Sequence, residues 1–379
     1  MIGLPIFFVR GIPFIIRDAS HRPAMTREPI GVAMSGGVDS SVTAALLLRQ
    51  GHAVHGFYMK LPLGGNREQI QRVERLADRL RIPLQVIDLR DLFSRTVISY
   101  FVETYLHGCT PNPCVICNEQ VKFGALLQEM RVRGMERMAT GHYARLTRTD
   151  AGVPVLRRGL DPKKDQSYFL CRLAPETLSR LILPLGEHRK DEVYRLAGEM
   201  GLSGAHGPES QDVCFLAGTS VADFITAQGV ADQPGEIVTT GGTVIGRHRG
   251  LWHYTVGQRR GLNLPDASPW YVHKLDARRN RLVVCKNELL LTRLTTLSEV
   301  RWQGVAPELP WQGLVQIRGR HTPAPALLSQ AGADQWQLSF HRPQRAVTPG
   351  QFAVFYEDDA VRGSGLITAA DPDPASIAP

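Results

Sequence analysis

The chain has 379 residues, 43% of them hydrophobic and 21% charged, with a formal net charge of +8. That length provides two or three domains, and the composition excludes a wholly disordered chain and an acidic solvating protein. The positive excess favours a polyanionic partner. Six cysteines, three of them clustered at Cys109, Cys114 and Cys117, are too few and too uneven for a disulfide scaffold; they fit a reducing compartment, the cytoplasm, in which a few thiols do chemistry or bind metal.

Residues 1–16 are apolar but interrupted by Pro5, Arg10 and Pro13. The stretch is too short to span a bilayer and lacks the layout of a secretory signal, so residues 1–24 read as an extension outside the fold, with Met25 as an alternative start. No other stretch reaches membrane-spanning length, which predicts a soluble protein with no membrane partner. From residue 30 strand-like and helix-like segments alternate. Residues 30–34 are a short apolar run ending in Ser35-Gly36-Gly37, and residues 38–50 have helical periodicity through Val42, Ala45 and Leu46. A strand at 52–58, a helix at 68–80, a strand at 84–89 and a helix at 92–106 follow. Such alternation implies an α/β fold, a parallel sheet with helices on both faces. A cysteine-bearing loop, residues 108–117, breaks the pattern; a helix at 118–133, a strand at 135–140 and helices at 175–183 and 190–200 complete the first region.

Beyond residue 201 glycine rises, long helices vanish and short β-rich runs begin, at 236–240, 282–285, 314–320, 336–340, 352–356 and 365–368. This pattern predicts a small β-rich linking domain and then a β-barrel. The expected division is residues 25–205 for the catalytic domain, 206–287 for the linking domain, 288–370 for the barrel and 371–379 for a disordered tail.

The first strand feeds Met34-Ser35-Gly36-Gly37-Val38-Asp39-Ser40-Ser41 and then a helix. Glycines let backbone amides approach an anion, and the helix N-terminus adds unpaired N–H groups and a positive dipole. A carboxylate among phosphate-binding groups, Asp39, suggests a bound Mg²⁺. The loop lacks the lysine of G-x-x-x-x-G-K-[ST]. It resembles the PP-loop of the ATP pyrophosphatase family, which cuts ATP between the α- and β-phosphates and adenylates a carbonyl oxygen. The resemblance implies a Rossmann-like catalytic domain in which Ala33, Met34, Ser35, Gly36, Gly37, Val38, Asp39 and Ser40 bind ATP and Met59 borders the adenine.

Cys109, Cys114 and Cys117 form C-x₄-C-x₂-C. One or two of them could be incidental small apolar residues, and a zinc or iron–sulfur site would need a fourth ligand or an open position. Thr110-Pro111-Asn112-Pro113 reads as a stiff polar turn. Asn118 reads as the start of a helix directly after Cys117, a position that lowers a thiol pKa. Thr110-Pro111-Asn112-Pro113, Cys117-Asn118 and Val121-Lys122-Phe123 resemble the tRNA-specific 2-thiouridylase (MnmA) family. The likeness continues at Thr140-Gly141-His142-Tyr143-Ala144, at the segment from Lys164 to Leu170, at Ser210-Gln211-Asp212-Val213-Cys214-Phe215, from Trp252 to Leu262 and at Gly350-Gln351.

The resemblance implies ATP-dependent 2-thiolation of the wobble uridine of tRNAs of the Lys, Glu and Gln type. Cys214 matches the persulfide cysteine and Cys117 the nucleophile that resolves it through a transient disulfide. A sulfur-donor protein, a cysteine desulfurase or a relay protein, is the second partner besides tRNA. Asn112, Pro113 and Cys114 match the target-base segment, with His142 nearby, and Gly141 belongs with the ATP site. Lys164, Asp165, Gln166, Arg318, Gly319 and Gln351 match tRNA contacts; Gly319 replaces a residue that is often aromatic. Many relatives carry Asp where Cys114 stands, so an alternative is an iron–sulfur-dependent tRNA thiolase with a cluster on Cys114, Cys117 and Cys214. In the favoured reading no residue ligates a resident metal through Cys or His, and Cys109, Cys171 and Cys285 are packing residues.

Positive charge clusters between Arg247 and Lys286, where nine Lys and Arg face Asp266 and Asp276 alone, interleaved with Trp252, Tyr254, Trp270 and Tyr271. Guanidinium forks suit phosphates and aromatic faces suit unpaired bases. An amidating PP-loop ligase would leave this half and the cysteines unexplained; a non-catalytic RNA binder would leave the intact loop unexplained.

Overall fold

The computed structural model describes residues 28–64, 66–202, 213–216 and 218–372. The expected extension at 1–24, the Ser210-Gln211-Asp212 segment and residues 373–379 of the expected tail lie outside the described residues.

β1 (Ile30–Met34) leads into α1 (Val38–Arg49), β2 (Val54–Lys60) into α2 (Asn66–Leu80), and β3 (Leu84–Asp88) into α3 (residues 90–106). α4 (residues 113–132) precedes β4 (Arg137–Ala139); a hairpin of β5 (Ala144–Arg148) and β6 (Pro154–Arg158) follows, then α5 (Pro175–Leu178), β7 (Leu181–Ile182) and α6 (Lys190–Glu199). Five strands form one parallel sheet in the order β3-β2-β1-β4-β7. Its apolar strands read as continuous runs because both faces are covered. One core joins α1, α2 and α6 through Val42, Leu47, Leu76 and Val193. The other joins α3 and α4 through Phe93, Phe101, Leu126 and Met130. The strand order reverses between β1 and β4, so a crevice opens at their carboxyl ends, where ligands of such sheets bind.

Two expectations fail here. The helix expected at 175–183 is a single turn, Pro175–Leu178, after which Leu181 and Ile182 pair with Met138 and Ala139 as an edge strand. The run from Leu181 to Leu183 is apolar without a helical stripe, and a sheet edge buries it. The helix expected to open at Asn118 opens five residues earlier. Pro113 occupies its first turn, where a missing N–H costs nothing, and the Asn112 side chain accepts a hydrogen bond from Val115 N at 3.4 Å as its cap. Cys117 therefore lies inside α4, at the start of a π-helical stretch, Cys117–Leu126.

After α7 (Val221–Ala227) come β8 (Gly235–Thr239), β9 (Val244–His248), β10 (Tyr271–Asp276) and β11 (Arg281–Cys285), a four-stranded sheet in the order β10-β11-β8-β9 around Ile237, Leu251, Val272, Leu282 and Val284. The last region holds β12 (Leu291–Trp302), β13 (Trp311–Gln316), β14 (Ala324–Gly332), β15 (Gln335–Arg345), β16 (Phe352–Glu357) and β17 (Ala360–Pro372). They run β12-β15-β14-β13-β16-β17 and close through β17–β12 pairing into the expected barrel. Closure removes the exposed edges.

The β5–β6 hairpin, absent from the sequence expectations, belongs to this last sheet and not to the parallel one. Ala360 of β17 pairs with Arg157 of β6. Arg145 and Arg157 both form ion pairs with Asp359, and Arg158 lies 3.9 Å over the Tyr356 ring. No described helix is long and apolar enough to cross a membrane.

Candidate active site

At the carboxyl end of β1 the chain turns through Ser35, Gly36 and Gly37 into α1. The turn is held by its own hydroxyls. Ser40 Oγ accepts from Ser35 N at 3.1 Å and donates to Gly37 O at 3.1 Å, and Ser41 Oγ donates to Gly37 O at 2.9 Å. The loop is thus rigid before any anion arrives. Asp39 points away from a free role. It accepts from Tyr143 Oη at 2.7 Å, and Lys190 Nζ donates to both of its oxygens at 2.8 Å. The Lys190 side chain is 9% exposed. Lys190 opens α6 and is 151 residues from Asp39; sequence reasoning missed it, and no local signal marks such a pair. Gly141, after β4, touches the same loop, where a Cβ would lie 2.8 Å from the Asp39 backbone and 3.0 Å from Ser40 N. Only glycine permits that approach. Ala33 and Met34 end β1, and Met59 is half-buried near the end of β2 beside Ile87 of β3.

The next residue, His142, faces the cysteine helix. It is buried, its Nδ1 lies 2.8 Å from Thr140 Oγ1, and its Nε2 lies 3.5 Å from Lys122 Nζ of α4. Burial, with the nearby Lys122 charge, holds the imidazole pKa well below its usual value, so the ring is neutral. Cys114 and Cys117 are half-buried and Cys214 is exposed; all three are free thiols. Burial pushes Cys114 up to about 11 and Cys117 up to about 12, and the Lys122 charge opposes the shift at both and at Cys214. This reverses the sequence expectation of a lowered Cys117 pKa. Cys117 stands inside the helix, not at its N-terminus, and loss of solvent outweighs the Lys122 charge. Among the described residues no group of three or more His, Cys, Asp or Glu side chains is arranged to hold a metal ion. Cys171 and Cys285 are buried, as packing residues are; Cys109 is half-buried.

The position of Cys214 is set by its neighbour. Phe215 is buried, with its ring centroid 5.0 Å from Phe101 of α3 and 5.0 Å from Phe224 of α7, and 5.9 Å from Phe93. This aromatic cluster fastens the Cys214 turn to the helix that leads into the cysteine loop.

Three family models match the chain in succession: a tRNA methyl transferase HUP domain over residues 28–218, a tRNA methyl transferase PRC-barrel domain over 222–286 and an aminomethyltransferase beta-barrel domain over 292–367. A curated relative, the tRNA-specific 2-thiouridylase MnmA of Desulfotalea psychrophila, is 44% identical over 347 residues, covering 90% of this chain and 100% of its own. The MnmA of Carboxydothermus hydrogenoformans is 42% identical, covering 90% of this chain and 98% of its own, and that of Chloroflexus aurantiacus is 44% identical, covering 89% and 97%. The chain belongs to the MnmA family.

Several residues that the MnmA resemblance marked as tRNA contacts are engaged within the protein. Gln351 Nε2 donates to Thr110 O and Pro111 O, both at 2.9 Å, and its Oε1 accepts from Asn112 Nδ2 at 3.2 Å. Gly350 beside it has φ +92°, and a Cβ there would lie 2.7 Å from Thr110 O; Thr110 N donates to Pro349 O at 2.9 Å. The barrel thus straps down the Thr110-Pro111-Asn112-Pro113 segment. Asp165 accepts from Gly159 N and Ser167 N, each at 3.0 Å, and pairs with Arg158 at 3.1 Å. Gln166 Oε1 accepts from Tyr143 N at 3.0 Å. Lys164 is half-buried in the same turn. Arg318 is exposed, with one guanidinium nitrogen donating to Arg345 O, and Gly319 lies against the Phe169 ring and offers no stacking face.

The basic stretch of the linking domain is partly neutralised. Arg249 pairs with Asp232, Arg281 with Glu236 and Lys286 with Asp266. Arg259, Arg260, Lys274 and Arg278 are exposed. The expected aromatic stacking fails at Trp252, which is 3% exposed in the core; the Trp270 ring is half-buried and carries Lys286 Nζ 3.6 Å from its centroid. Also on α4, Glu119 pairs with Arg301 of β12 at 2.6 Å and lies 3.8 Å from Arg172, which is itself 3.0 Å from Glu299.

Proposed function

We propose that the protein is a tRNA-uridine 2-sulfurtransferase that uses ATP to replace the carbon-2 oxygen of the wobble uridine, in tRNAs of the Lys, Glu and Gln type, with sulfur. Membership of the MnmA family and the curated 2-thiouridylases supports the activity and the use of ATP. The observation that carries the site assignment is the Gly141-His142 pair. Gly141 packs on the Asp39-Ser40 loop while His142 meets Lys122 of the cysteine helix, so one strand end joins the anion loop to the thiols.

In this reading the loop from Ala33 to Ser40, with Met59 and Gly141, holds ATP, and Asn112, Pro113, Cys114 and His142 surround the target base. The adenylated oxygen leaves as AMP when the terminal sulfur of a Cys214 persulfide attacks carbon 2. The Cys117 thiolate then attacks Cys214 Sγ. A disulfide forms between the two cysteines, the bond to the transferred sulfur breaks, and its electron pair stays on the thiocarbonyl sulfur. An external thiol reductant restores both cysteines before the next turnover. Asp39, the loop's one carboxylate, is held by Lys190 and Tyr143 and does not offer a free Mg²⁺ ligand; a Mg²⁺ ion arriving with the nucleotide would neutralise the leaving pyrophosphate. The persulfide is charged by a cysteine desulfurase or a relay protein in the cytoplasm. Residues 25–205, 206–287 and 288–370 act as catalytic, linking and barrel domains, with Arg318 and the exposed cations of the linking domain on the tRNA.

The test is nucleoside mass analysis of tRNA incubated with ATP, a persulfide donor and the protein. Cys117→Ser and Cys214→Ser each abolish 2-thiouridine while tRNA affinity changes less than about threefold. Substantial turnover by Cys214→Ser overturns the persulfide assignment, and an affinity loss without a rate loss makes either thiol structural.

A further inference from the structure

We propose that Lys122 assists sulfur transfer as a positioning cation that stabilises the Cys117 thiolate as it forms. The inference deepens the proposed sulfurtransferase reading and rests on its assignment of Cys117 as nucleophile.

The first argument is helical register. In a regular α-helix a residue five positions on lies about 140° round the axis. The stretch from Cys117 to Leu126 is π-helical, and i→i+5 bonding returns that residue to nearly the same face. Lys122 is five positions after Cys117, so the unusual winding brings ammonium and thiol to one side of α4. π-Helical turns are frequent at functional sites, and Val121, Phe123 and Leu126 remain buried along this stretch.

The second argument is charge. The described groups that feel the Lys122 charge are Cys114, Cys117, Cys214 and His142, and none of these four is a carboxylate. His142 is neutral and accepts from Lys122 through Nε2, which leaves Nδ1–H to donate to Thr140 Oγ1. Glu119, the acidic residue of this helix stretch, is spent on Arg301 and Arg172. The thiols are therefore what the Lys122 side chain can serve. A thiolate at a half-buried position without a counter-charge is strongly disfavoured; Lys122 supplies that counter-charge to Cys117 and to a persulfide anion on Cys214. The Cys117 proton leaves to solvent, Lys122 gives up no proton in the step, and the disulfide-forming step keeps the electron balance given above.

The experiment reads thiolate content without tRNA, ATP or a sulfur donor. Full-length protein is treated with iodoacetamide between pH 7 and 9.5, and alkylation of Cys117 is followed by peptide mass spectrometry. Lys122→Met slows Cys117 alkylation at least tenfold at each pH, equivalent to a rise of at least one pKa unit. Lys122→Arg, which keeps the charge, stays within about threefold of the parent. Lys122→Gln replaces Lys122→Met if the apolar variant does not fold, and an unreactive buried Cys171 reports the folded state in every sample. Equal Cys117 rates in the parent and the neutral variant overturn the proposal. That outcome leaves the sulfurtransferase reading intact, whereas normal 2-thiolation by Cys117→Ser removes the reading and leaves the alkylation result standing.

Discussion

Gln351→Ala separates two accounts of the barrel's contribution. The parent side chain makes three hydrogen bonds to the segment that carries Asn112, at 2.9, 2.9 and 3.2 Å. At a net value of about 1 kcal/mol each, the strap is worth about 3 kcal/mol. The backbone bond from Thr110 N to Pro349 O survives the substitution, so 3 kcal/mol is an upper bound on what the segment loses. If that order is needed only when carbon 2 reacts, the rate falls by at most about 150-fold, at 1.4 kcal/mol per tenfold. Single-turnover 2-thiolation at saturating tRNA, paired with filter binding of the same tRNA, reads both quantities. The rate constant falls between tenfold and 150-fold while Kd changes less than threefold. A Kd weakened more than tenfold with the saturating rate preserved would refute the strap and return Gln351 to direct tRNA contact.

Other outcomes follow from the same geometry. Lys190→Met leaves the Asp39 carboxylate with Tyr143 but without the cation that donates to both of its oxygens, and ATP-dependent AMP release falls at least tenfold, with equal AMP release counting against a role for the pair. The raised thiols at Cys114, Cys117 and Cys171, at about 11, 12 and 12, bind protons more tightly when folded than when unfolded. Their stabilisation is therefore full below the ordinary thiol value near 9 and is lost as pH rises from there toward 12; the urea midpoint falls over that window, and a flat profile there contradicts the burial. Affinity for tRNA falls steeply with salt, and removing Arg259 or Arg278 lowers the slope of log K against log salt by about 1 where the residue meets a phosphate; an unchanged slope moves the RNA elsewhere.

Local features of the site were legible in the sequence because local rules govern them. An apolar run, a Ser-Gly-Gly turn and an amphipathic helix describe the β1–α1 loop without any distant residue. The start of α4 was equally local: Asn112 followed by Pro113 is a cap and a first-turn proline, yet the pair reads as a rigid turn when the cysteines draw the eye. The rest depends on separation in sequence. Lys190 meets Asp39 across 151 residues, and nothing near either position signals the other. The thiol pKa reverses because burial is imposed by packing from α3 and the Cys214 turn, while the helix dipole is the part visible locally. Trp252 and Trp270 look like stacking platforms by composition, and only the fold shows one in a core and the other under a lysine. Val121-Lys122-Phe123 was visible as a motif, but the register that turns Lys122 toward Cys117 comes from the π-helical winding.

The β5–β6 hairpin has a consequence for how the chain is made. Its partner strand, β17, lies about two hundred positions later; the Arg157–Asp359 pair alone spans 202 residues. At 5–20 residues per second, synthesis leaves the hairpin waiting about 10–40 s for the edge it joins. During that interval its strands are unpaired on one side, and the barrel cannot supply the strap over Asn112. Assembly of the catalytic half is thus timed by the end of the chain. A ribosome-bound intermediate stopped before β16 would hold a formed β1–α1 loop but an unsecured Thr110-Pro111-Asn112-Pro113 segment, and it would be the species most exposed to chaperones and proteases.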